Sequence, residues 1–171
     1  MRTLIYYSCL LTALVLWVSP ISAQAPAPAP ASPLQEVEGI IEDAHIKIVY
    51  SSPAVKGRLI WDGLVPYDKV WRTGANEATT IETDKDIYLQ SGEMLPAGKY
   101  ALFTIPGETE WTWIFNSAWS QWGAFKYNEE KDLIRIKAIP QASPIFYERM
   151  TFLIEDNVIS LNWENLRIEI E

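Results

Sequence analysis

Hydrophobic and polar residues alternate along most of the chain after residue 44, and this two-residue repeat is typical of half-buried β-strands. In residues 45–50, for example, Ile46, Ile48 and Tyr50 fall on one face of an extended segment. Clusters of Gly, Pro, Asp, Asn and Ser interrupt the repeat, as turns do. The predicted strands are residues 45–50, 78–83, 87–89, 99–105, 111–116, 133–138, 149–154, 158–163 and 166–170.

About nine short strands and little helix predict an all-β fold, either an antiparallel β-sandwich or a jelly-roll-like barrel. The chain has 171 residues, which suits one such domain and little else. We assign the domain to residues 36–171 and expect its ordered part to begin near Val37.

The first 23 residues have the pattern of a secretory signal peptide. Arg2 supplies the positive charge, residues 10–18 form the apolar core, and small residues precede a cleavage site before Gln24. An uncleaved membrane anchor is the alternative, but the apolar run is short for a span, which needs about 20 residues. We therefore expect an exported protein, periplasmic or extracellular, without a membrane span in its mature chain.

Residues 24–35 are rich in alanine and proline. Alternating prolines disfavour both helix and sheet pairing and favour the extended polyproline conformation. We expect this segment to be a tether that precedes the domain.

Charge and reactive side chains exclude several functions. The formal net charge is -8, which argues against nucleic acid, because such binding needs Lys and Arg to neutralise phosphates. Cys9, in the predicted leader, is the only cysteine, and His45 is the only histidine. The mature domain therefore has no thiolate nucleophile, no disulfide and no cysteine- or multi-histidine-ligated metal. We predict no metal site and no cofactor.

The densest chemistry lies in residues 71–77, WRTGANE, called the heptad below. A turn at Gly74 would bring Arg72 near Glu77, and these side chains with Asn76 could orient a carboxylate, an amide or a sugar hydroxyl. The alternative is a structural ion pair that pins the loop, with Trp71 filling the core. The predicted ligand-binding residues are Arg58, Trp71, Arg72, Asn76, Glu77 and Trp122.

Residues 117–130 lack strand alternation and form an aromatic-rich loop. Trp119, Trp122 and Tyr127 could stack against sugar rings, or the loop could fold back over the core as large aromatic residues usually do.

Three functions remain open. A module that binds a small polar ligand or glycan ranks first, and an envelope structural or protein-interaction domain ranks second. A small hydrolase or isomerase ranks third, with Glu77 as the general acid or base and Asp62, Asp68 or His45 as its partner.

Four further blocks accompany the heptad: YSSPAVKGR at residues 50–58, LVPY at 64–67, LPAGKYALFTIPG at 95–107 and QWGA at 121–124. Together the five blocks resemble the landmarks of the DUF2911 family, exported bacterial proteins that are common in Bacteroidetes and have no assigned function. The resemblance covers roughly residues 44 to 170. It implies export and a single β-rich domain, and it implies no catalytic residues.

Overall fold

The computed structural model describes residues 30–89 and 91–170, so the predicted leader and residues 24–29 of the predicted tether lie outside the described residues. The described chain contains ten strands and one short 3-10 helix, which confirms the all-β prediction. None of its helical segments has the length and apolar character of a membrane span. The elements are β1 (Leu34–Ile41), β2 (Ala44–Ser51), β3 (Ala75–Thr83), β4 (Ile87–Tyr88), β5 (Met94–Leu95), β6 (Gly98–Ile105), β7 (Trp111–Asn116), the 3-10 helix Glu129–Lys131, β8 (Asp132–Ala138), β9 (Gln141–Glu155) and β10 (Val158–Ile170).

Six strands form the main sheet, in the order β1-β2-β3-β6-β7-β8, and each neighbouring pair is antiparallel. Apolar residues face each other across the strands, as where Ile48 lies opposite Ile81 and Leu102 lies opposite Phe115. Because side chains alternate between the two faces of a strand, these pairs stack on one face, the inner face. β1 begins at Leu34, inside the range predicted as tether.

The long hairpin of β9 and β10 forms the second layer and places Phe152, Met150 and Trp163 on the inner face. The Met150 amide donates to the Pro53 carbonyl at 2.9 Å, and the Phe152 amide donates to the Tyr50 hydroxyl at 3.2 Å. β1 and β8 end the strand order of the main sheet without pairing to each other. Over the described residues the two layers therefore form an open sandwich and no closed barrel.

The outer face of the main sheet carries a smaller apolar cluster of Ala78, Ala101, Phe103 and Ile114. Residues 117–128 cross this cluster, and the Tyr127 ring packs on Phe103 with its centroid 5.1 Å away. Beside this aromatic loop the outer face is open to solvent, and the candidate site lies there.

Candidate ligand-binding clefts

The heptad is divided between the core and the surface. Its first residue, Trp71, pairs with Thr104 of β6 through backbone hydrogen bonds of 2.7 and 2.9 Å. The indole packs in the inner core against Trp61 and Trp163, and its N–H donates to the Gly74 carbonyl at 3.1 Å. The structure thus places Trp71 in the packing of the core, as the alternative interpretation of the heptad expects.

A buried turn follows Trp71. Thr73 has a left-handed backbone, with φ 53°, and its carbonyl accepts a hydrogen bond from the Thr79 hydroxyl at 2.7 Å. Gly74 passes close to β2, since an added Cβ would lie 3.1 Å from the Ser51 carbonyl oxygen and 3.0 Å from the Thr79 hydroxyl. Glycine is therefore favoured here by close approach and not by its backbone angle.

Arg72 and Glu77 form no ion pair in the described part of the chain, so the predicted pairing is absent. The Arg72 Nε donates to the Gly74 carbonyl at 3.3 Å. Its Nη1 lies 2.7 Å from the position that a Cβ on Gly123 would occupy. Arg72 thus lies close to Gly123 of the aromatic loop and lines neither of the clefts described below.

Asn76 joins three segments of the chain. Its side-chain amide donates to the Ser51 hydroxyl at 3.1 Å and to the Ser32 carbonyl at 3.4 Å, while its own carbonyl accepts from the Gly123 amide at 3.1 Å. These contacts connect β2, the residues before β1 and the aromatic loop. Asn76 is therefore engaged in holding the wall of the site.

Arg58 lies in a different turn and donates from Nε to the Val55 carbonyl at 3.1 Å and from Nη2 to the Ala54 carbonyl. It clamps its own loop and does not join the heptad at either cleft.

The aromatic loop runs antiparallel to the first half of β3. Glu77 lies opposite Trp122, flanked by one hydrogen bond from the Ala78 amide to the Gln121 carbonyl at 3.0 Å and by the bond from Gly123 to Asn76. In this type of antiparallel pair the two Cα atoms approach to about 4.5 Å and the side chains lie on the same face. The Glu77 carboxylate and the Trp122 indole are therefore neighbours at the surface.

Two clefts open on this surface. The Trp119 cleft has a volume of about 300 Å³ and is lined by Leu34, Val49, Tyr50, Ser51, Glu77, Ala78, Thr80, Lys99, Trp119, Ser120 and Gln121. The Trp122 cleft has a volume of about 480 Å³ and is lined by Glu77, Ser120, Gln121, Trp122, Phe125 and Lys126. The two clefts share three polar residues, Glu77, Ser120 and Gln121, and so they adjoin at the end of the heptad.

Charges of both signs surround these clefts. The Glu77 carboxylate is exposed and has no ion-pair partner among the described residues. The Lys99 Nζ lies 4.8 Å from the centre of the Trp119 ring and 3.4 Å from the Glu82 carboxylate. The Gln121 side chain donates to the Ala118 carbonyl at 2.6 Å. Its buried Oε1 has no donor among the described residues. Ligand hydroxyls and amides exchange hydrogen bonds with carboxylate and ammonium groups such as those of Glu77 and Lys99.

The far end of the aromatic loop is held by a buried network around Asp132. Its carboxylate accepts from the Tyr127 hydroxyl at 2.5 Å and from the Asn116 side-chain amide at 2.7 Å, and Arg135 pairs with it at 2.7 Å. Burial, and then the hydrogen bond to Asp132, raise the pKa of Tyr127 to about 12. The loop is thus anchored at residues 121–123 by β3 and at Tyr127 by Asp132, so the cleft walls are preformed.

Of the predicted site residues, the structure brings Glu77 and Trp122 to the clefts together with Trp119 of the predicted stacking platform. Tyr127 instead covers Phe103. Lys99 and Gln121 are additional lining residues that the sequence did not single out. The alternation of β6 places Lys99 on the outer face, which was a usable signal, whereas nothing local marks Gln121.

The proposed partners of a catalytic Glu77 lie elsewhere. His45 lines a separate depression with Glu38 and Asp84, and Asp62 and Asp68 occupy left-handed turn positions. Within residues 30–89 and 91–170, no cluster of three His, Cys, Asp or Glu side chains is arranged to hold a metal ion.

A family model described as "Protein of unknown function (DUF2911)" matches residues 32–171, which includes every residue of both clefts. The chain belongs to this family. No curated protein and no solved structure matches the chain. Family membership therefore agrees with the resemblance of the five sequence blocks and assigns no activity.

Proposed function

We propose that this DUF2911 protein binds a small polar ligand or a glycan at the two adjoining clefts. The observation that carries the proposal is an exposed carboxylate, Glu77, without an ion-pair partner in the described chain, set between the exposed indoles of Trp119 and Trp122. Indole faces pack against the C–H faces of sugar rings, and a carboxylate accepts hydrogen bonds from hydroxyl groups.

The shape of the site supports binding. Ligand sites are typically concave, mostly preformed and about 300–1,000 Å³ in volume, with a few well-placed polar groups. The Trp119 cleft lies at the lower end of this range and the Trp122 cleft lies within it. Because β3 holds the middle of the loop and the Asp132 network holds its far end, little ordering is needed when a ligand binds, which favours affinity.

Binding fits the lining better than hydrolysis does. Among the described residues, Glu77 is the only carboxylate that lines either cleft, whereas most glycoside hydrolases use two carboxylates that flank the scissile bond. A hydrolase that uses Glu77 would have to bring its second group from outside the residues that line these clefts.

A panel of neutral mono- and oligosaccharides, titrated into the purified protein by calorimetry, tests the proposal. We expect at least one sugar to bind, and we expect Glu77→Gln and Trp119→Ala each to weaken that binding about tenfold or more, which corresponds to about 1.4 kcal/mol. Glu108→Gln and Tyr88→Ala are matched controls, because these residues are exposed and line neither cleft. No binding by any sugar, or equal binding by Glu77→Gln, would contradict the proposal.

We also infer that residues 1–23 direct export and are then removed. The positive residue, the apolar core and the small residues before Gln24 support this inference. Mass spectrometry of the protein from a fractionated bacterial host would check it. We expect an N-terminus at Gln24 and recovery outside the cytoplasm, and an intact N-terminus would show that the leader is not cleaved.

A further inference from the structure

We propose that the Trp119 and Trp122 clefts are neighbouring subsites of one groove, and that its ligand is a linear, neutral oligosaccharide whose chain crosses Glu77. This inference rests on the proposed function and specifies its ligand class. It differs from that function in requiring at least two sugar rings.

The continuity of the groove is the first argument. Glu77, Ser120 and Gln121 line both clefts. A ligand that leaves the Trp119 cleft past these residues therefore enters the Trp122 cleft directly. A single ring would fill one cleft and leave the other to solvent.

The aromatic side chains are the second argument. Trp119 is 44% exposed, Trp122 58% and Phe125 85%, so three large rings lie at the surface along one loop. Three residues of chain span at most about 10 Å, which bounds the separation of the Trp119 and Trp122 Cα atoms. One short oligosaccharide can therefore reach both indoles.

The charges are the third argument. Glu77 lies where the two clefts meet, while Lys99 lines one cleft and Lys126 lines the other. A uniformly anionic chain would meet the Glu77 carboxylate, and a uniformly cationic chain would meet both lysines. A neutral chain avoids both repulsions, and its hydroxyls match the carboxylate and the lysines.

The test is a chain-length series. Glucose and its β-1,4-linked dimer, trimer and tetramer are titrated into the purified protein, alongside the N-acetylglucosamine β-1,4 series and the α-1,4-linked glucose series. We expect one series to gain affinity at least tenfold from monomer to trimer and to change little beyond that length. The series that gains identifies the sugar and the linkage.

Variants locate the gain. Trp122→Ala should remove the increase with chain length and leave monomer affinity within about twofold, whereas Trp119→Ala should weaken every member. Phe146→Ala is the control, because Phe146 is exposed on β9 and lines neither cleft. Thermal melts of each variant should stay close to that of the wild type, since all three side chains are exposed.

Monomer affinity equal to tetramer affinity would overturn the two-subsite inference while the proposed function stands. The same holds if Trp122→Ala leaves the length dependence intact, or if another sugar of the panel binds and all three series fail. Failure of every ligand would remove both proposals.

Discussion

Two groups of tryptophans lie in opposite environments in this protein. Trp61, Trp71, Trp111 and Trp163 meet in the inner core, with Trp61 lying 5.1 Å from Trp111 and 5.6 Å from Trp163 between ring centroids. Trp119 and Trp122 instead lie at the surface of the aromatic loop. The residue type alone does not reveal the role. Local backbone context separates Trp111 and Trp163, which belong to strands, from the exposed pair, which lies where alternation stops. It does not mark Trp61 and Trp71, which reach the core from the connection between β2 and β3.

The core tryptophans pack against each other ring to ring. The indole N–H groups of Trp61, Trp111 and Trp163 have no oxygen or nitrogen acceptor among the described residues. Trp61 meets Trp111 and Trp163 at interplanar angles of 73° and 83°, an edge-to-face arrangement that aromatic rings favour and that suits weak N–H···π contacts. The heptad joins the two groups, since Trp71 enters the core cluster and Glu77 lies beside Trp122.

The largest expected effect is the difference in unfolding free energy between a variant of a core tryptophan and a variant of a surface tryptophan. Trp163→Ala removes a fully buried indole and should lower the free energy of unfolding by about 3–5 kcal/mol. Trp122→Ala removes an exposed indole and should change it by about 0.5 kcal/mol or less. Urea unfolding of both variants measures the difference. Similar losses would show that the aromatic loop is part of the core.

The next effect tests the buried turn of the heptad. Thr79→Val removes the only side-chain donor to the Thr73 carbonyl in the described chain and should cost about 1–3 kcal/mol, since a buried acceptor is left unpaired. Thr112→Val is the matched control. Thr112, on β7, is buried like Thr79, but its side chain forms no hydrogen bond within the described residues. Equal losses in denaturant melts would mean that the Thr73 contact contributes nothing specific.

A smaller effect concerns the support of the aromatic loop. Gly123 and Gly57 have nearly the same left-handed φ, 64° and 65°, so alanine at either position should cost about 1–2 kcal/mol in backbone strain. Only at Gly123 does the new Cβ meet the Arg72 guanidinium, at 2.7 Å, whereas nothing lies within 4 Å at Gly57. We expect Gly123→Ala to weaken sugar binding and Gly57→Ala to leave it unchanged in calorimetry. Unchanged affinity in Gly123→Ala would show that Arg72 does not position the loop.

The fold was largely predictable because strand alternation is a local property. The errors in the predicted strands at β1 and β10 also have local causes. β1 was missed because Gly39 interrupts its apolar face, where Ile154 packs so close that a Cβ would lie 2.5 Å from its Cγ2. Residues 158–163 and 166–170 were predicted as two strands but form the single strand β10, since shifts of register around Glu164 bend the strand without ending its pairing.

The site was less predictable because it depends on contacts between distant segments. Glu77 and Trp122 were singled out separately, yet their pairing across 45 residues arises from the backbone bonds of Ala78 and Gly123. The positive charges of Arg58 and Arg72 suggested contacts with a ligand, but in the structure both side chains donate hydrogen bonds to backbone carbonyls. Sequence shows which groups are present, and the topology decides which of them face solvent. Their roles in ligand binding remain predictions.

The smallest expected effect appears only in alkali and tests the anchored end of the aromatic loop. The folded-state pKa of Tyr127, about 12, lies above the usual tyrosine value of about 10, so the folded protein holds this proton more tightly. Its stabilising contribution is therefore complete below pH about 10 and is lost as the pH rises towards 12. Tyr127→Phe cannot titrate there, so the stability difference between wild type and variant should shrink across that window. Urea unfolding at several pH values between about 9 and 12 measures this difference, and parallel curves would show that the phenol is not held by the Asp132 network.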